Sequence, residues 1–371
     1  MPRTLLHVMT ETRRHSFSTL DAMRGVAAIA VALYHFKKMY SPNFGFPNGY
    51  LAVDLFFILS GFIIAFAYDK RLGQGLTTGQ FMTARIIRFA PMIWLGAALG
   101  AIQLLTLPHG GDEVLSWNER VWASVLNAAM LPSFVGDSPR MFPVNNSEWS
   151  LFYELLANLA FVLTFHRLRG KWLFAAIAVL GALLLATVLR LDHANFGWRQ
   201  SHLVFGVFRV GFTFLVGVAI CRYRHVWQPR IPALNPLIIL AAVALSLFVP
   251  VPDSAQAAYD CAFIFLIAPT LVMLGARSEL TGQRLKSMGV ALALLSYPLY
   301  AIHYPVYKMS MAVATAGYMP MIAGVAVLAA LIPLSLFIAR HVDEPIRAWM
   351  TARTRHWFDG NKALTTANSM G

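Results

Sequence analysis

The run RGVAAIAVALYH, residues 24 to 35, places an arginine and a histidine at the two ends of ten mostly apolar positions. At about 100° per residue, eleven steps return to nearly the same helix face about 16 Å further along the axis, so Arg24 and His35 share a stripe without touching. Ionisable groups in such a run are costly unless they meet a partner or a cavity, which points to a polar path through a bundle. The alternative is that Arg24 snorkels to headgroups while His35 bonds a neighbouring helix. An imidazole in a path of this kind is suited to general-base work.

Other segments offer partners. ARIIRFAP sets Arg85 and Arg88 three apart on one helix face, where two guanidinium forks match phosphate oxygens of a cytosolic ligand or of lipid. Glu154 in NNSEWSLFYELLAN and Asp54 in GYLAVDLFFILSGF reach a depth similar to His35. Either carboxylate could orient the imidazole, and the sequence does not choose between them. In LLSYPLYAIHYPVY, Ser296, Tyr300 and His303 fall at i, i+4 and i+7, one stripe that could face a cavity or a polar seam between helices. Ser60 and Gly61 read as a small-residue contact between helices, since no nucleophile elbow surrounds them. Trp117, Trp122 and Trp149 could stack on sugar rings, although tryptophan also belongs at membrane interfaces. Cys221 and Cys261 have no ligand-spaced partner and read as packing residues, so no metal is expected. GxxxxGK[ST], HExxH, CxxC and HxxxxD words are absent, which argues against ATP-driven pumping by this chain.

The elements that must position these groups are apolar helices. With 58% hydrophobic and 13% charged residues over 371 positions, and a mean hydropathy of +0.59, the chain reads as an all-α, polytopic membrane bundle. Windows of span length lie near 19–39, 49–68, 84–106, 147–166, 171–190, 202–221, 233–250, 257–275, 289–310 and 319–340, giving about ten transmembrane helices. The net charge of +13 reports topology more than nucleic acid. Basic residues such as Arg13, Arg14, Lys70, Arg71, Arg167 and Arg169 gather on alternate connections, which sets both termini in the cytoplasm. The polar N-terminal stretch carries no cleavable leader, so the first span is expected to stay. The long outer connection 107–146 has room for a short interfacial helix over 120–134.

Taken together, LDAMRGVAAIAVALYHF, GYLAVDLFFILSGFIIAF, FMTARIIRFAP, EWSLFYELLANLAF, LSYPLYAIHYPV and DEPIR resemble the acyltransferase-3 family of bacterial membrane acyltransferases. Its members acylate sugars on O-antigens, exopolysaccharides and Nod factors, and some small molecules. The likeness runs nearly end to end, in the family's order. It implies a transmembrane acyltransferase domain over 1–345 and a basic, partly disordered cytoplasmic tail over 346–371. By the same resemblance His35 is the catalytic histidine with Arg24 its companion, and Arg85 and Arg88 engage acyl-CoA. The family's Trp-Ser-Leu word with its glutamate falls on Trp149, Ser150, Leu151 and Glu154, and its late Ser-Tyr and histidine word on Ser296, Tyr297, Tyr300 and His303. Met23 stands where many relatives have leucine. No fused SGNH hydrolase-like domain is expected after the bundle.

The expected function is therefore transfer of an acyl group, acetyl first, from cytosolic acyl-CoA to a hydroxyl of a surface polysaccharide, O-antigen, exopolysaccharide or lipid-linked sugar. The setting is the bacterial inner membrane, the partners are the bilayer, the donor and a glycan, no nucleic acid is involved, and a homo-oligomer is left open. The competing reading is a transporter of protons or small anions that uses the same buried groups.

Overall fold

A computed structural model describes residues 17–106, 115–314 and 320–354. Every long apolar run is helical in it: α1 Ser18–Met39, α2 Ala52–Gly73, α3 Thr78–Thr106, α4 Trp117–Ala128, α5 Trp149–Thr164, α6 Lys171–Leu191, α7 Leu203–Arg222 and α8 Pro236–Phe248. Then come α9, which begins at Asp253 and ends at Arg277 with a π-helical turn over Phe263–Ile267, and α10 Gln283–Ala314. Last is α11, from Pro320 through a second π turn at Ala339–Asp343 and on to Thr354. Among the described residues no strand forms, and extended pairing is limited to one isolated bridge between Arg140 and Arg199.

Among the described residues seven helices are long and apolar enough to cross a membrane: Gly49–Gly73, Thr78–Thr106, Lys171–Leu191, Gln200–Arg222, Asp253–Arg277, Gln283–Ala312 and Met321–Thr354. The chain is a multi-pass helical membrane protein. The other three expected windows are helices too. α1 carries Asp21, Arg24, His35, Lys37 and Lys38 in its length, while α5 has 16 residues and α8 has 13, short of the roughly 20 that a straight span needs. In the connection 107–146, α4 starts and ends earlier than the expected 120–134; its start is set by Ser116, which caps it, and Glu119, which closes a capping box. Trp117 and Trp122 stand exposed on this helix. Residues 346–354 continue α11 as helix, and the rest of the expected tail lies outside the described residues.

Two close approaches set the frame. α2 lies against α7 at a reciprocal pair of glycines: a Cβ at Gly61 would strike the carbonyl oxygen of Phe214, and one at Gly217 that of Ile58. Only residues without side chains allow backbones this near. α1 lies against α10, where Gly25 meets Leu292, and the small face Ala27, Ala28, Ala30 and Ala32 is fully buried. Together α1, α2, α3, α5 and α10 enclose the polar groups. Pro91 in α3, and Pro298 and Pro305 in α10, sit inside helices at this level. Each removes a backbone donor, which a bundle tolerates where neighbours or cavities compensate.

Candidate active site

A cavity of about 150 Å³ opens between α2, α3, α5 and α10. From α3, Arg85 and Arg88 line it with Phe89; α1 contributes Arg24; α2 contributes Ser60 with Phe56 and Phe57; α5 contributes Ser150 and Glu154; α10 contributes Ser296, Tyr297 and Tyr300. The three-residue step between Arg85 and Arg88 keeps both on the cavity face, each over an aromatic ring: Arg85 is 5.0 Å from the Phe89 centroid and Arg88 4.9 Å from that of Tyr297. Glu154 Oε1 accepts from Ser60 Oγ at 2.5 Å and lies 3.8 Å from Arg85 Nη2. Ser150 Oγ and Tyr300 Oη pair at 2.6 Å, and Tyr297 Oη donates to the Phe89 carbonyl at 2.6 Å. The result is a cationic, hydroxyl-rich chamber with aromatic walls, suited to an anionic ligand that also carries an apolar or neutral arm.

His35 is not on this wall. Its ring meets His303, whose Nε2 lies 3.1 Å from His35 Nδ1, and the two ring centroids are 5.0 Å apart. His303 stands one turn of α10 beyond Tyr300, with ring centroids 5.9 Å apart. Tyr300 and His303 therefore form the layer between the chamber and His35. The hydrogen bonding fixes the tautomers. His303 Nδ1 faces the carbonyls of Tyr300 and Leu299 at 2.9 and 3.0 Å, and carbonyl oxygens only accept, so Nδ1 carries the proton. In neutral His303 the Nε2 is then an acceptor. It accepts the hydrogen bond donated by His35 Nδ1–H, which also points at the Val31 carbonyl 3.1 Å away. His35 Nε2 is left with its lone pair, the form a general base needs. The imidazole is half-buried against Tyr34 and Tyr304.

The expectation that a carboxylate orients His35 is corrected on both counts. Asp54 is fully buried and bound by Arg209, with Nε at 2.9 Å and Nη2 at 2.6 Å. Arg209 spends its other donors on the carbonyls of Phe196 and Tyr50, so this is a structural pin between α2 and α7. Glu154 is engaged by Ser60 and Arg85. Trp149 packs with Tyr153, Val53 and Phe57 in an apolar cluster and does not line the chamber. Ser60, read from sequence as packing, is a chamber residue, and the packing role belongs to Gly61 alone. Arg24 pairs with Asp21 at 3.7 Å, one turn away on α1.

The family described as an acyltransferase domain matches residues 17–340. The chain belongs to this acyltransferase-3 family. Among individual proteins it is 32% identical over 192 residues to protein 2 in the picA locus of Rhizobium radiobacter, covering 48% of this chain and 97% of that one. It is 25% identical over 261 residues to the peptidoglycan O-acetyltransferase OatA of Listeria monocytogenes, 64% of this chain and 40% of the relative. It is 31% identical over 111 residues to the exopolysaccharide production protein ExoZ of Rhizobium meliloti, 30% of this chain and 32% of that protein. No solved structure matches the chain.

In this acyltransferase several polar residues at the site escaped the sequence reading. Asp21, Asp343 and Arg347 border a second cavity of about 190 Å³, which shares Arg24, Arg88, Ser296 and Tyr297 with the first. The DEPIR word runs from Asp343 to Arg347, but nothing in the word says that α11 folds back against α3. Among the described residues no group of three or more His, Cys, Asp or Glu side chains is placed to hold a metal.

Proposed function

We propose that this acyltransferase moves an acetyl group from acetyl-CoA to a hydroxyl of a cell-surface carbohydrate, with His35 as the general base. The observation that carries the reading is the polar succession from Arg24, Arg85 and Arg88, through Ser150 and Tyr300, to the His303–His35 pair, whose hydrogen bonding leaves His35 Nε2 free to take a proton. The arginines hold the charged end of the donor, and the aromatic chamber takes its arm. The acceptor hydroxyl approaches His35 from the other end of α1, loses its proton to Nε2 and attacks the thioester carbonyl. The carbon–sulfur bond breaks, and the proton passes to the departing CoA thiolate.

Because Tyr300 and His303 separate the chamber from His35, this layer must open as the thioester advances. The carbohydrate acceptor is supported by the Listeria and R. meliloti relatives, an O-acetyltransferase of peptidoglycan and an exopolysaccharide production protein. The basic connections support a cytoplasmic donor side, ten spans and a bacterial inner-membrane setting. Family membership, together with a chamber that combines arginines with aromatic and hydroxyl side chains, supports acyl transfer over proton or small-anion transport.

Mass spectrometry of surface glycans from cells with and without the gene tests the reading. A carbohydrate acetyl ester present only with the gene is expected. Identical glycan acetylation in both strains would overturn it.

A further inference from the structure

The Asn127–Asn145–Glu148 network and the Tyr50–Gln256–Asp260 cluster are each closed by partners within the protein. The second cavity is different. It lies where α11 folds against α1, α3 and α10, and buried polar atoms on its lining residues lack hydrogen-bond partners: Arg88 Nη1, Arg347 Nε and Asp343 Oδ1. Asp343 Oδ2 sits 2.7 Å from Arg347 Nη2 and 3.9 Å from Arg88 Nη1, so one carboxylate stands between two guanidinium groups and a positive charge is left over. The π turn at Ala339–Asp343 supplies Ala339 and Asp343 to the wall, and Arg347 follows one turn later. Such turns re-phase a helix and recur at functional sites.

We infer that this cavity binds a phosphate group of the nucleotide end of the acyl donor, with Arg347 and Arg88 as its ligands. Phosphate oxygens satisfy the two unpaired N–H donors. Asp343 Oδ1 accepts from a hydroxyl or amine, groups that a nucleotide carries beside its phosphates. Arg24, Arg88, Ser296 and Tyr297 border both cavities, so a ligand anchored here extends directly into the chamber that leads towards His35. The inference rests on the acyl-CoA reading above and adds Arg347 and Asp343 to it. A phospholipid headgroup offers the same chemistry, and the choice of donors below separates the two sources.

The test compares acetyl-CoA with S-acetylpantetheine, which has the same thioester and no phosphate, using protein in phosphate-free maltoside micelles. Wild type should prefer acetyl-CoA in kcat/KM. Arg347→Gln should cut that preference about tenfold, the loss of one charge-assisted hydrogen bond, with Arg347→Lys between the two. A preference that survives Arg347→Gln intact, as it would if the cavity held lipid phosphate, overturns the inference while leaving the acyl-transfer reading standing. Transfer from neither donor by wild type removes both. Should Arg347→Gln fail to fold, adenosine 3′,5′-bisphosphate decides with wild type alone: inhibition competitive with acetyl-CoA supports the site, and none at millimolar concentration overturns it.

Discussion

On the proposed mechanism, His35 works with a second histidine at its side. A carboxylate beside an imidazole fixes its tautomer by accepting from one ring nitrogen, and here His303 Nε2 does so. His303 is thus a positioning residue, and the account predicts a graded series. His303→Leu, of similar bulk and without an acceptor, should lower kcat by roughly 10²-fold, within the range that a misplaced base forfeits. His303→Gln can present an amide oxygen near the position of Nε2 and should recover part of that loss. Steady-state rates at saturating acetyl-CoA check both, and equal rates for the two variants would assign His303 to packing alone. The residue types were legible in the sequence, since Arg24, Arg85, Arg88, Glu154, Ser150, Ser296, Tyr297 and Tyr300 all line the chamber. Their pairing was not. Spacing of i, i+4 and i+7 tells which residues of α10 share a stripe, but only the packing of α1 on α10 tells that His303 and not Asp54 faces His35.

At the scale of elements, the contact of α2 with α7 shows what the sequence could signal and what it could not. LSGF advertised a small-residue contact at Gly61, but its counterpart Gly217 lies far along the chain in an ordinary-looking apolar run. Arg209 lies within the apolar run 202–221, and its partner Asp54 reads from sequence as a candidate for orienting His35, because a buried carboxylate gives the same signal in either role. Removing one member of a buried pair strands the other charge, so Asp54→Leu should cost about 3–5 kcal/mol. Asp54→Leu combined with Arg209→Met should be more stable than Asp54→Leu alone, because no unpaired charge remains. Thermal unfolding midpoints in detergent check the order, and a double variant less stable than Asp54→Leu would contradict a purely structural pin. The helix windows themselves were readable because apolar length is a local property. The start of α4 shifted because its capping box outweighed the apolar pattern.

For the whole molecule, the geometry arranges a charge gradient along one route. Arg24, Arg88 and Arg347 border the second cavity, Arg85 and Glu154 meet in the first, and neutral hydroxyls and imidazoles follow. On the proposed mechanism the large donor enters at the cationic end, the acceptor reaches His35 from the other, and the Tyr300–His303 layer keeps the two apart until both substrates are bound. Direct transfer therefore requires both substrates together, whereas an acetyl-histidine route would let donor alone label the protein. The most direct measurement is transfer of radiolabelled acetyl from acetyl-CoA to an added carbohydrate acceptor by the purified protein and by His35→Ala, with both confirmed as folded by their unfolding midpoints. The account predicts labelled acceptor from wild type and a loss of at least about 10²-fold in the variant. Near-normal transfer by His35→Ala would contradict it.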